Sequence, residues 1–128
     1  MSKKIFILED NDDLRDLYSL ILEGEDYAIT GFATVGEFMQ KSDEFPDLYL
    51  LDVMLPDGNG IDVCQRLKAS KDSTNIPVIM VSAHEDIKKV ITACPETVFI
   101  PKPFDIEYLS QQIAKMLGGS ESKNIIVP

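Results

Sequence analysis

The stretch Leu48-Tyr49-Leu50-Leu51-Asp52-Val53-Met54-Leu55-Pro56-Asp57-Gly58-Asn59-Gly60 decides the reading of this chain. An unbroken apolar run is the pattern of a strand covered on both faces. Here it stops at a single aspartate, and a loop rich in Pro, Gly and Asp follows. An acidic side chain fits such a strand only at its end. In parallel α/β sheets, sites form at the carboxyl ends of the strands. Asp52 is therefore a candidate functional carboxylate at the mouth of a central strand. The plainer alternative is an aspartate that caps a turn.

Working outward, Ile5-Phe6-Ile7-Leu8 is a second continuous apolar run, and it ends at Glu9-Asp10. Asn11 or Asp10 can cap the helix that follows, and Asp12-Asp13 suit its first turn. Leu14, Leu17, Tyr18, Ile21 and Leu22 recur at helical spacing up to Gly24. Residues 27–32 read as a strand. Thr34-Val35-Gly36-Glu37 has the form of a capping box that opens a short helix. After the central strand, 48–52, a third helix carries Ile61, Cys64 and Leu67. Val78-Ile79-Met80-Val81-Ser82 is another apolar run with a polar end. Residues 84–93 are helical in pattern, with Ile87, Val90 and Ile91 as the apolar stripe. Val98-Phe99-Ile100 is a fifth strand, ahead of Pro101-Lys102-Pro103-Phe104. The last helix begins near Asp105 and ends at Gly118-Gly119. Strand and helix thus alternate five times, which predicts an open parallel α/β sheet with helices on both faces.

The chain has 128 residues and is 45% apolar, enough for one domain with an adequate core. No run approaches the length of a membrane span, and Met1-Ser2-Lys3-Lys4 does not open a signal peptide, so a cytoplasmic location is expected. Cys64 and Cys94 belong to no metal-type cluster and read as buried free thiols. A net charge of −10 without any basic cluster disfavours contact with nucleic acid.

Four strands end in polar signatures: Glu9-Asp10, Asp52, Ser82 and Lys102. A parallel sheet brings these ends to one edge. Three carboxylates in one shallow cleft repel each other unless a cation or a raised pKa relieves them. A hard divalent ion with oxygen ligands, Mg²⁺, is the natural relief. Helix capping would account for Glu9-Asp10 alone, but not for its coincidence with Asp52 and Lys102.

With these residues in view, the chain resembles the receiver domain of bacterial two-component response regulators, from Lys4 to about Leu117. The resemblance rests on the ordered set Glu9-Asp10, Asp52, Met54-Leu55-Pro56-Asp57-Gly58 with Gly60, Ser82-Ala83 and Lys102-Pro103-Phe104. It implies a flavodoxin-like fold with strand order 2-1-3-4-5, a receiver domain over residues 1–119 and a short tail over 120–128. It implies that Asp52 takes a phosphoryl group from a sensor histidine kinase or a phosphotransfer protein. Glu9, Asp10, Asp52 and the Met54 carbonyl would hold Mg²⁺, directly or through water. Lys102, the Ser82 hydroxyl and the Ala83 amide would contact the phosphoryl oxygens, and Phe99 and Ser82 would report the switch to a downstream protein partner. Phosphoryl acceptance and autodephosphorylation would be the only chemistry.

Bland readings stand beside these. Lys102 between two prolines would suit a surface lysine, Ser82 could cap the helix near His84, and Phe99 could be a plain core residue. His84 reads as a solvated loop residue. Met54, two beyond Asp52, has no group to orient an attacking water, which points to a longer-lived phosphoryl group. The stretch Cys94-Pro95-Glu96-Thr97 replaces the usual Gly-Ala-Asp type of turn, and Pro95 predicts a fourth helix that is short, shifted or partly unwound. No effector domain follows residue 119, so a stand-alone receiver is expected. The alternatives are a phosphorelay intermediate or a receiver from a larger hybrid kinase or regulator. An aspartyl-nucleophile phosphatase is disfavoured, because Met54 stands where its acid/base aspartate belongs. A flavodoxin-like electron carrier would share the topology without needing this acidic-plus-lysine cluster, and a phosphorylation-independent scaffold would not need it either.

Overall fold

The computed structural model describes residues 2–24 and 26–118. The expected tail, 120–128, and Gly119 lie outside the described residues. Five parallel strands form one sheet: β1 (Lys3–Leu8), β2 (Tyr27–Phe32), β3 (Leu48–Leu51), β4 (Val78–Ala83) and β5 (Val98–Lys102), in the order β2-β1-β3-β4-β5. The helices are α1 (Asp12–Leu22), α2 (Val35–Met39), α3 (Gly60–Ala69), α4 (Ile87–Ala93) and α5 (Ile106–Met116). This is the flavodoxin-like α/β fold with the expected strand order. A short antiparallel pair, Met54–Leu55 with Gly58–Asn59, lies in the loop after β3.

The two-residue period of the strands divides the core into two layers. Phe6, Leu8, Tyr49, Leu51, Val78 and Met80 face one side and pack with Phe38 of α2, Ile61 and Cys64 of α3 and Val90 of α4. Ile5, Ile7, Leu48, Leu50, Ile79 and Val81 face the other, against Tyr18 and Leu22 of α1 and Leu109 and Ile113 of α5. Continuous apolar runs are therefore required in β1, β3 and β4, since both faces are covered. On the first face Phe6, Phe32, Phe38 and Tyr49 meet in edge-on and tilted ring contacts, with Phe6 and Phe32 centroids 5.2 Å apart.

Local signals set most boundaries. Asn11 caps α1 by accepting from the Leu14 N–H, and Thr34 caps α2 by accepting from the Glu37 N–H. The Glu37 carboxylate reaches back to the Ala33 N–H, so the capping box closes one residue earlier than its usual form. Asp105 caps α5 from the Glu107 and Tyr108 N–H groups, and Gly118 leaves that helix with φ of 84°. Two strands run further than the sequence indicates. β4 reaches Ala83 and β5 reaches Lys102, with Ser82 opposite Pro101 and Ala83 opposite Lys102. Pro101 is tolerated because β5 is an edge strand, where a missing N–H need not break a ladder.

The fourth helix departs from the apolar stripe read from the sequence. A 3-10 turn, His84–Asp86, precedes a seven-residue α4 that stops at Cys94, ahead of Pro95. Val90 is its buried anchor, whereas Ile91 is 52% exposed. With so short a helix, Ile91 lies past the edge of the covered face. Both cysteines are buried and free, and the Cys64 Sγ lies 3.1 Å from the Thr97 Oγ1. Burial, and then the neighbouring Cys64 thiol, push the Cys94 thiol up to about 12.

Candidate functional site

The carboxyl ends of β1, β3, β4 and β5 bring Glu9, Asp10, Asp52, Ser82 and Lys102 to one edge of the sheet. Glu9 and Asp52 are buried, while Asp10 is exposed. One carboxylate oxygen from each of these three lies within 4.8 Å of the others. Asp52 follows β3 directly, and its Oδ1 accepts from the Val53 N–H at 2.7 Å. Its Oδ2 accepts from Lys102 Nζ at 3.1 Å, and the same ammonium donates to Glu9 Oε1 at 3.2 Å. Glu9 Oε2 also accepts from the Asn11 N–H at 3.1 Å.

The electrostatics of the site follow from burial first and from charge crowding second. Burial, and then the Asp52 charge, push the Glu9 carboxyl up from 4.5 to about 7, against the Asn11 N–H and Lys102, which pull it down. Lys102 is raised because its bonds and charge pairing with Asp52 and Glu9 outweigh its own burial. The ammonium is thus a shared counter-ion for two carboxylates, and among the described residues no cation pairs with Asp10. Hard oxygen donors, crowded closely enough to raise a carboxyl pKa, fit a divalent cation. This acidic triad is the cluster typical of the Mg²⁺ site of receiver domains.

The backbone around Asp52 is held by a glycine. A Cβ on Gly60 would overlap the Asp52 carbonyl oxygen, and the Gly60 N–H donates to the Val53 carbonyl at 2.7 Å. Any larger residue at 60 would push the loop off the aspartate. Asn59 caps α3 by accepting from the Ile61 N–H at 2.7 Å, so the loop and the helix start are fixed together.

Other residues singled out in the sequence make no side-chain hydrogen bond to the three carboxylates among the described residues. Met54 sits in the short antiparallel pair and is 74% exposed. His84 is exposed. Phe99 is half-buried against the α2–α4 side of the core. Ser82 is buried, but it caps no helix: its hydroxyl donates to the buried Asp86 carboxylate at 2.9 Å. Lys102-Pro103 is a cis peptide bond. Three participants had no role assigned from the sequence. Arg15 donates to the Glu9 carbonyl at 2.8 Å and to the Asp12 carboxylate at 2.6 Å, bracing the turn that carries Glu9. Asp57 accepts from the Val35 and Gly36 N–H groups at 2.8 and 2.9 Å, tying the loop after Asp52 to the start of α2. Those two amides hold the Asp57 carboxyl below the usual range. Asp86 is the third. It lies four residues after Ser82, across the end of β4 and the 84–86 turn.

A five-stranded parallel sheet of this order, with an acidic triad and an ion-paired lysine at its carboxyl edge, defines the receiver class of signalling domains. The chain belongs to the response regulator receiver domain family, whose model matches residues 5–114. It is 36% identical over 119 residues to the transcriptional regulatory protein CssR of Bacillus subtilis, covering 91% of this chain and 52% of that protein. Among solved structures it is similar to a CheY-like receiver domain protein from Methanospirillum hungatei, at 29% identity and a TM-score of 0.81 over 96% of this chain and 99% of that one. It is also similar to the signal receiver domain of a histidine kinase from Syntrophus aciditrophicus, at 26% identity and a TM-score of 0.84 over 92% of each chain. The chain spans about half the length of the curated relatives it matches. The Glu9, Asp10 and Asp52 cluster with its Lys102 ion pairs is a receiver active site, of the kind typical of phospho-aspartate and Mg²⁺ signalling.

Proposed function

We propose that Asp52 is the phosphoacceptor of this domain and that it receives a phosphoryl group from a phosphohistidine. The observation that carries this is the placement of Asp52: buried at the end of β3, one oxygen fixed by the Val53 N–H, the other paired with Lys102. One carboxylate oxygen forms a bond to phosphorus as the bond from phosphorus to the imidazole nitrogen breaks, and the imidazole departs as donor product. Glu9 and Asp10, with the Asp52 carboxylate and the Met54 carbonyl, would hold Mg²⁺, directly or through water. Bound there, that ion would neutralise charge on the transferring phosphoryl group. Lys102 already donates to Asp52, and it needs only to follow the new oxygens as a mobile point charge. Ser82 and the Ala83 amide are the further donors to the phosphoryl group, and Phe99 is the aromatic that changes packing.

A sensor histidine kinase or a phosphotransfer protein is the donor. Similarity to the receiver domain of a histidine kinase supports that partner. The output is contact with another protein through residues 84–117, within a receiver domain assigned to residues 1–119. A net charge of −10 speaks against nucleic acid contact by this domain. No described helix is long and apolar enough to cross a membrane. A second reading is a receiver module within a larger regulator or kinase, favoured by curated relatives about twice as long as this chain. The test of Asp52 is treatment with a small phosphodonor, with and without Mg²⁺, read by intact mass. One phosphoryl group is expected on the wild type in Mg²⁺. An equal, stable adduct on Asp52→Asn would overturn the assignment.

A further inference from the structure

The Ser82–Asp86 pair has no part in holding the cluster at Asp52, yet both residues are buried, at 3% and 8% exposure. Asp86 ends the 3-10 turn and stands at the position that caps α4. A capping aspartate has an extended backbone and accepts from the second or third N–H of its helix. Asp86 does neither. Its φ and ψ are −83° and −6°, and its side chain caps no N–H. Among the described residues, the Ser82 hydroxyl is the one hydrogen-bond partner of this carboxylate, at 2.9 Å. An inward-facing aspartate at a cap position, spent on one hydroxyl, is not explained by helix stability.

We propose that Asp86 is a positioning residue that holds the Ser82 hydroxyl proton away from Asp52 until a phosphoryl group arrives. This rests on the assignment of Asp52 as phosphoacceptor. A serine hydroxyl has one proton and donates it to one acceptor at a time. While Asp86 accepts it, Ser82 has no proton for a phosphoryl oxygen. Donation to the phosphoryl group breaks the bond to Asp86 and strands a buried carboxylate, which is unfavourable. The carboxylate regains water by leaving its site, and because it ends the 84–86 turn, that turn reorders with it. Asp86 thus sets how readily Ser82 is recruited, and it passes the event to the start of α4, the short helix with the single buried anchor Val90. A purely structural aspartate would not couple to Ser82 in this way.

The experiment phosphorylates the full chain with acetyl phosphate and Mg²⁺ and reads occupancy and decay by intact mass. It compares wild type, Asp86→Ala, Asp86→Asn, Ser82→Ala and the Asp86→Ala, Ser82→Ala double variant. Asp86→Ala is expected to raise the ratio of phosphorylated to free protein at fixed donor by on the order of fivefold, the scale of a modest coupling between sites. Asp86→Asn keeps the shape with a weaker, neutral acceptor, and should move in the same direction by less. In the Ser82→Ala background, Asp86→Ala should change nothing further. Hydrogen exchange at residues 84–87 of the wild type should quicken on phosphorylation. An equal effect of Asp86→Ala in both serine backgrounds, or none from either Asp86 variant, would overturn the proposal, as would unchanged exchange at 84–87. If Asp86→Ala does not fold, Asp86→Asn with and without Ser82 decides the same point. If the wild type itself takes no phosphoryl group, the assignment of Asp52 falls and the role of Asp86 falls with it. If the wild type is phosphorylated and only the Asp86 variants are silent, Asp52 stands and Asp86 does not.

Discussion

Glu9 is the residue whose protonation the fold changes most directly at the site. Its folded pKa of about 7 lies above the ordinary 4.5, so between those values the folded chain holds a proton that the unfolded chain has released. Stability then falls as pH rises through that window. Urea unfolding from pH 4.5 to 7.5 should show this decline in the metal-free protein and a smaller one in Glu9→Gln. Mg²⁺, which binds the ionised carboxylates, should stabilise more at pH 7.5 than at pH 5. Tyr18 makes a separate prediction. Its ring stacks on Phe104 at 5.6 Å, but its buried hydroxyl has no partner among the described residues. Its pKa is raised, by burial first and then by the charges of Glu9 and Asp52. Tyr18→Phe keeps the stacked ring and removes an unsatisfied polar atom, so unfolding should show a gain of about 1 kcal/mol. A loss of that size would mean that the hydroxyl has a partner in solution.

At the scale of elements, the loop from Asp52 to α3 and the segment from Ser82 to β5 behave oppositely. The first is pinned at several points: Gly60 under Asp52, Asn59 at the start of α3, and Asp57 on α2. Gly60→Ala forces a Cβ onto backbone rather than onto a side chain that can move. It should cost about 1–3 kcal/mol in unfolding and slow phosphorylation of Asp52. Asp57→Ala should loosen α2, seen as faster hydrogen exchange at residues 35–39. The second segment has a 3-10 turn, a seven-residue helix and one fully buried anchor. Local stability follows buried apolar contact, so residues 84–93 should exchange faster than 48–51 in the unphosphorylated protein. Equal protection would remove the reason to place the switch there.

At the scale of the whole molecule, the site is a product of strand order. β5 is separated from β3 by β4 and from β1 by two strands. Strands lie about 4.8 Å apart, so only a long, flexible side chain on β5 reaches carboxylates on β3 and β1 together. Lys102 does so, and neutralises part of the repulsion that a divalent ion would otherwise have to relieve alone. Lys102→Ala should leave Glu9 and Asp52 without their shared cation, push the Glu9 carboxyl higher still and lower the yield of phosphorylated protein. A carboxyl-resolved NMR titration checks the first effect and intact mass the second.

The five strands and five helices, and the polar edge of the sheet, were legible in the sequence, though not every boundary was. Continuous apolar runs in 5–8, 48–51 and 78–81 report double burial, and 3.6-residue spacing around Tyr18 and Leu109 reports the helices, because each is a local pattern set by backbone geometry. The polar ends Glu9, Asp10, Asp52, Ser82 and Lys102 were legible for the same reason: a charge after an apolar run marks where a buried strand meets solvent. Which side chains bond to one another depends on how the elements pack. Lys102 finds Glu9 and Asp52 across sequence separations of 93 and 50, and Asp57 finds α2 across 22. Ser82 turns to Asp86 rather than to a helix cap, and Ile91 faces out although its spacing suits the core. These choices depend on strand order, on how far a short helix covers the sheet, and on which acceptor is nearest in space, none of which a local pattern encodes.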